Sequence, residues 1–196
     1  MMVELNYPCG ATPLSKDEML GLIPTHITNR DELNRWEQDN INEALAWVKK
    51  NKSRNVLSES FLKLLHKKMF GNVWKWAGQF RQSEKNIGVP PYMIAVEVKK
   101  LCDDAQYWIE NKIFSENEMA VRFHHRLVSI HLFPNGNGRH ARLAADILLA
   151  NVLGKSAVTW GSANLVKAGD VRQRYIESLH AADKGDYKPL VEFARS

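Results

Sequence analysis

The chain has little cysteine, no long apolar run and almost no β-patterned sequence, and each shortage closes off a class of protein. Its two cysteines, Cys9 and Cys102, form neither a disulfide framework nor a metal-ligand spacing, which suits a reducing cytoplasm. The most apolar stretch, 141–154, is broken by Arg142 and Asp146 and is shorter than the roughly 20 residues that cross a bilayer. It reads as a buried helix, and no membrane association is expected. The first 25 residues hold Pro8, Pro13 and Pro24 without the apolar core of a secretory signal. There is no internal repeat, low-complexity tract or linker, and 196 residues with 44% hydrophobic content suit one sizeable core.

What is present is helical. Ser15 with Glu18, and Thr28 with Asp31, form capping-box patterns that start two helices. After Thr28, the spacing of Leu33, Trp36, Ile41, Ala44, Leu45, Trp47 and Val48 predicts a helix to about Lys50. Further helices are predicted from Ser58 to Gly71, around 96–109, after a cap at Ser115, and over 139–153, 171–182 and 187–194. Only 78–92 departs from this pattern. Gly78, Gly88 and the Pro90-Pro91 pair exclude a helix there, while Phe80, Ile87 and Val89 favour an extended hairpin. The fold class is therefore all-α with one small β-hairpin.

The six tryptophans beside a net charge of +5 invite a nucleic-acid reading. Trp36, Trp47 and Trp108 fall on apolar helix faces, however, so they are assigned to the core, and Trp74 and Trp76 to packing beneath the hairpin. The seven basic residues between Lys49 and Lys68 read as a solvated helix face. No direct nucleic-acid partner is expected.

The chemistry is concentrated in 131–142, HLFPNGNGRHAR. Gly136, Asn137 and Gly138 at a helix start would present backbone N–H groups as an anion nest, favoured by the helix dipole. Arg139 and Arg142, three apart on one face, could grip phosphate oxygens in bidentate fashion. A neutral His131 before the nest could take the proton of an incoming hydroxyl. Each residue alone is compatible with a tight turn between core helices, and it is the combination that points to phosphoryl or nucleotidyl transfer. His124, His125, His131 and His140 do not make a zinc site, because no carboxylate and no HExxH completes them. His124 is assigned to the core.

This segment resembles the Fic-family signature HxFx(D/E)GNGRxxR, matching at His131, Phe133, Gly136, Asn137, Gly138, Arg139 and Arg142. With equal residue frequencies, seven such positions coincide by chance with a probability on the order of 10⁻⁷. Residues 76–92 resemble the family's flap and 175–193 its C-terminal helices. The likeness thus covers 55–196 as a catalytic core, with 1–54 as an N-terminal extension carrying a long helix. Within the family the chain is most similar to the mobile mystery protein B group.

The resemblance implies a cytoplasmic protein adenylyltransferase that moves AMP from ATP to a Ser, Thr or Tyr hydroxyl, with Mg²⁺ and with His131 as base. Phe133 would anchor the loop, and the target protein would pair with the flap at Ile87, Gly88 and Val89 by β-strand addition. Asn135 stands where the family commonly has a metal-binding Asp or Glu, and its neutral amide oxygen could still ligate Mg²⁺, directly or through a water, with less to offset the ion's charge. The family's inhibitory glutamate, which pairs with the second motif arginine, here Arg142, has two candidates: Glu37, which is preferred, and Glu32. An antitoxin could supply the glutamate instead, and the mobile mystery group implies a helix-turn-helix companion protein. The rival readings are kinase-like transfer, as in the death-on-curing branch, and a peptide-binding module of low activity. That branch has lysine at the position of Gly138, so the glycine here favours nucleotidyl transfer.

Overall fold

The computed structural model describes residues 12–52, 55–162, 165 and 169–196; Cys9 lies outside them. The elements are α1 (Lys16–Met19), α2 (Arg30–Lys50), α3 (Glu59–Phe70), α4 (Ile94–Glu110), α5 (Glu116–Ile130), α6 (Asn137–Ile147), α7 (Asp170–Asp183) and α8 (Lys188–Arg195). A π-helical turn, Leu148–Val152, continues α6. None of the helices is long and apolar enough to cross a membrane among the described residues.

Helix starts follow local chemistry. Ser15 and Glu18 cap α1 reciprocally. The start of α2 differs from the expected Thr28–Asp31 box. Asn29 is the cap and accepts from the N–H of Glu32 at 2.9 Å, while the Glu32 carboxylate returns to the N–H and hydroxyl of Thr28 at 2.8 and 3.1 Å. Glu32 is therefore engaged at the helix end. Ser58 and Ser115 cap α3 and α5.

The apolar faces of α2, α3, α4, α5 and α6 meet in one core containing Leu33, Leu62, Phe70, Val98, Leu101, Phe123 and Phe133. Asn40 fixes α2 to the end of α3, donating to Lys68 O and accepting from the N–H of Asn72. The opposite side of α5 packs with Trp160, Tyr175, Leu190 and Phe193 in a second cluster that seats α7 and α8. Cys102 is buried, and burial pushes its thiol up to about 11.

Two expectations change. Trp36 is 41% exposed and meets His26 edge-on, because it sits at the margin of the α2 stripe beside the N-terminal loop. The segment 78–92 forms no hairpin, and the only β pairing among the described residues is the isolated bridge Leu22–Trp74. Arg81 explains the loss: its guanidinium takes the carbonyls of Ser83 and Val89 that a ladder would use, and Pro90 and Pro91 lack donors.

Candidate active site

His131 ends α5 in a left-handed conformation, φ 58° and ψ 66°. This is uncommon for a residue with a β-carbon and costs of order 1–3 kcal/mol. Surrounding contacts hold it there. Its carbonyl accepts from Arg81 Nε at 2.6 Å, and its N–H reaches Leu127 O at 3.1 Å. The imidazole is only 5% exposed, yet neither ring nitrogen has a hydrogen-bond partner among the described residues. Burial, with Arg81 and Lys85 nearby, lowers its pKa to about 4, so the ring is neutral near pH 7 and can accept a proton.

The following loop is held mainly by uncharged hydrogen bonds. Asn137 accepts from Phe133 N–H at 2.9 Å and donates to Phe133 O at 2.7 Å, closing 133–137 into a compact turn. Phe133 is fully buried and stacks on His66 at 3.7 Å. His66 Nδ1 accepts from Gly78 N–H at 3.0 Å, which leaves Nε2–H to donate to Asn135 O at 3.1 Å. One buried ring thus ties the loop to the root of the flap. Burial, followed by the neighbouring His140, holds its pKa well below the ordinary value. His140 in turn donates to Leu62 O at 3.0 Å, fixing α6 on α3.

The first turn of α6 points its N–H groups into a cavity of about 490 Å³ that His131, Arg139 and Arg142 also line. The nest is shifted from the expected one. Gly136 N–H is taken by Asn135 Oδ1 at 2.7 Å, so Asn137, Gly138 and Arg139 are the positions that offer N–H groups without intrahelical acceptors. The two glycines serve different needs. Gly136 has φ 79°, and a β-carbon there would lie 2.6 Å from the Phe70 ring, whereas at Gly138 one would meet nothing nearer than 3.7 Å. A β-carbon at Gly138 would be in ordinary contact with Arg142 and Tyr175, so this position is not sterically forced as Gly136 is.

The two arginines part company. Arg139 lies over the Phe70 ring and is paired with Glu37 at 2.7 Å. Glu37 is 2% exposed and also accepts from Trp74 Nε1 at 2.7 Å. The expected pairing of Glu37 with Arg142 is therefore replaced by one with Arg139, which comes to face α2. Arg142 lies over the Tyr175 ring, and the Tyr175 hydroxyl is bonded to His124 at 3.0 Å. Glu32 caps α2 and reaches neither arginine.

The flap lies against His131. Gly88, at φ 109°, leaves no room for a side chain: a β-carbon would fall 2.7 Å from the β-carbon of His131. Val89 N–H bonds to Ile130 O at 3.3 Å, while Ile87 is 44% exposed. Arg81, only 1% exposed, donates to carbonyls on both sides of this contact. His66 and Arg81 were not found by reading the sequence, since a lone histidine on an apolar helix face and a lone arginine in a loop carry no local signal.

The residues present do not fit a protein-held Mg²⁺. Asn135 offers one neutral oxygen, already bonded to Gly136 N–H, and its Nδ2 donates to Thr12 O at 3.3 Å. No group of three His, Cys, Asp or Glu placed to hold a metal ion occurs among the described residues. A Mg²⁺ site normally draws on at least one carboxylate beside the phosphates.

Residues 56–149 match the sequence model of the Fic/DOC family. The chain is similar to the protein adenylyltransferase Fic of Aedes aegypti, with 29% identity over 73% of this chain and 28% of that protein. It is likewise similar to the Nematostella vectensis protein of the same name, with 27% identity over 78% of this chain and 35% of that protein. It spans about a third or less of the length of these relatives. Among solved structures, Fic-1 (residues 134–508) of Caenorhabditis elegans superposes with a TM-score of 0.67 at 24% identity, over 90% of this chain and 51% of that one. BepC of Bartonella tribocorum, solved with bound AMPPNP, gives 0.69 at 17% identity over 92% and 97%. The architecture is shared with both.

Proposed function

The chain belongs to the Fic family, and from that premise we propose that it is a protein adenylyltransferase, moving AMP from ATP to a Ser, Thr or Tyr hydroxyl of a target protein. The names of its relatives support this reading, and the observation that carries it is the buried, neutral, unpartnered ring of His131 beside the open start of α6. A target hydroxyl oxygen attacks the α-phosphorus of ATP and forms a P–O bond. The bond from that phosphorus to the oxygen bridging to the β-phosphate breaks, pyrophosphate leaves, and the hydroxyl proton passes to His131. The N–H groups at 137–139 and the guanidinium of Arg142, joined by that of Arg139 once freed, orient the phosphates and receive the developing charge. A bound triphosphate also raises the basicity of His131.

Any Mg²⁺ would be carried by the nucleotide phosphates. Ile87 and Gly88, on the exposed margin of the flap, are the positions for an extended target segment, with Val89 anchoring the flap to α5. Glu37 holds Arg139 away from the phosphates and acts as a brake from within the chain, so no antitoxin is needed to supply a glutamate. In this division 1–54 regulates and 55–196 catalyses. A cytoplasmic setting, with ATP at hand, goes with it.

Intact-mass spectrometry of purified Glu37→Gly protein, with ATP, GTP, CTP or UTP plus Mg²⁺ and bacterial lysate as target, tests the reading. A nucleotidyl adduct that disappears in Glu37→Gly/His131→Ala is expected. A phosphoryl adduct overturns it in favour of the kinase-like reaction, and no adduct on any protein overturns catalysis.

A further inference from the structure

We propose that Thr12 is a self-modification site, the hydroxyl that this chain presents to its own centre for nucleotidyl transfer; the proposal rests on the adenylyltransferase reading above. Thr12 lines the same cavity as His131, Asn135 and the flap residues Asn86, Ile87 and Gly88, although it lies 119 positions before the histidine. It is 8% exposed. Its carbonyl accepts from Asn135 Nδ2 at 3.3 Å, which places the residue against the loop that begins the phosphate cradle. Pro13 follows, and a residue before proline favours extended backbone, the conformation a flap-bound acceptor segment takes.

The segment is anchored to the flap by a charged cluster that the transfer chemistry leaves unused. Lys85 donates to Pro13 O at 3.0 Å and pairs with Glu18. Glu18 also accepts from Ser83 Oγ and Ser15 N–H, both at 2.7 Å, and its carbonyl accepts from Trp76 Nε1 at 2.9 Å. The Lys85 and Glu18 side chains are 5% and 12% exposed. Four flap-side contacts thus fix residues 13–18, and the Asn135 contact fixes Thr12 itself.

Among the described residues lining this cavity, hydroxyls belong to Thr12, Ser129 and Tyr175. The Ser129 hydroxyl donates to His125 O at 3.0 Å and that of Tyr175 is bonded to His124. No hydrogen bond of the Thr12 hydroxyl occurs among the described residues, and Thr12 lines the cavity. The reaction is that of the target hydroxyl: Thr12 Oγ1 bonds to the α-phosphorus of ATP, the bond to the pyrophosphate oxygen breaks, and His131 receives the proton. Holding acceptor and base in one cavity raises their effective concentration above that of a free target.

The test uses the whole chain in the Glu37→Gly background, with ATP and Mg²⁺, read by intact mass and peptide mapping. An AMP adduct on the peptide containing Thr12 is expected, retained in Thr12→Ser and absent in Thr12→Ala. Its rate constant should not change on 100-fold dilution (about the range needed to separate first- from second-order transfer). A His131→Ala chain mixed in should stay unmodified. Adducts on other residues or on lysate proteins with Thr12 bare overturn this proposal and leave the adenylyltransferase reading intact. Transfer to Thr12 of the His131→Ala partner overturns presentation in cis. The absence of any adduct, on this chain or on lysate protein, overturns both.

Discussion

The inner wall of the cavity and its N-terminal face are held by different forces. Behind the inner wall, His66, His140 and Asn137 bind backbone atoms of 133–136 and α3 through uncharged hydrogen bonds, and the buried Arg81 binds carbonyls. On the N-terminal face the contacts are ion pairs, Glu37 with Arg139 and Glu18 with Lys85. Buried uncharged bonds persist through changes of ionic strength, whereas an ion pair can be exchanged for another anion of better fit. The face that must keep its geometry is thus built from the first kind. In the proposed reaction only the Glu37–Arg139 pair gives way to a triphosphate, while the Glu18–Lys85 pair keeps residues 13–18 on the flap.

The largest effect expected on the inner wall is that of His131→Ala. In the Glu37→Gly background it should lower kcat by on the order of 10²–10⁴, the range typical for loss of a general base, with little change in nucleotide affinity. Nucleotide binding by calorimetry alongside single-turnover rates separates the two. An unchanged rate would remove His131 from the chemistry.

The inner wall is also where acidity should strike. His131 and His140 have pKa values lowered to about 4 by burial, and His66 and His124 are shifted in the same direction. Between these values and the ordinary 6.5 the unfolded chain binds more protons than the folded one. Stability is therefore full above pH 6.5 and falls as pH drops towards 4. At pH 5, His131 and His140 each account for about 2 kcal/mol of that loss. Thermal melts at pH 7.5 and 5.0 check it, and equal midpoints would mean that the rings are not buried neutral.

On the N-terminal face, Glu37→Gly should raise adduct formation by on the order of 10², the scale of a few kcal/mol for a freed buried charge. Glu37→Gln, which can still accept from Trp74 Nε1, should give a smaller rise. Melting points should move the other way, lower in Glu37→Gly than in the parent chain. If Glu37→Gln matches Glu37→Gly, the ion pair of Glu37 with Arg139 is the whole brake; if Glu37→Gln stays as slow as the parent, burial of α2 against the cavity is.

Legibility in the sequence divides along the same line. His131, Arg139 and Arg142 could be picked out because twelve consecutive residues hold a histidine, a glycine turn and two arginines, and helix periodicity placed that turn between α5 and α6. His66, Arg81 and the Glu18–Lys85 pair act across 69, 50 and 67 positions, and neither periodicity nor turn chemistry reports a contact at such range. The partner of Glu37 differs from the expected Arg142 for a related reason. Arg139 and Arg142 share a helix face, and only the packing of α2 on one side and Tyr175 on the other decides which arginine meets the glutamate. Phe80, Ile87 and Val89 favour an extended hairpin, but such residue preferences say nothing of a buried guanidinium that takes its carbonyls.

The smallest effect, and the one that joins the two faces, is expected at Asn135, where the loop meets Thr12. Asn135→Asp keeps an oxygen to accept from Gly136 N–H, loses the donor to Thr12 O, and adds the carboxylate that a divalent ion seeks. With nucleotide but no Mg²⁺, the new charge opposes the phosphates, so binding should weaken. With Mg²⁺ the sign reverses: the ion concentration for half-maximal adduct formation should fall by on the order of ten-fold, and the maximal rate should rise by a smaller factor. A magnesium titration of both proteins in the Glu37→Gly background reads this directly. If the parent chain already needs no more Mg²⁺ than Asn135→Asp, the nucleotide phosphates alone hold the ion, and the neutral residue costs the enzyme nothing. If only Asn135→Asp responds to the ion, the amide is what keeps the parent slow, and Thr12 sits beside a site tuned below its reach.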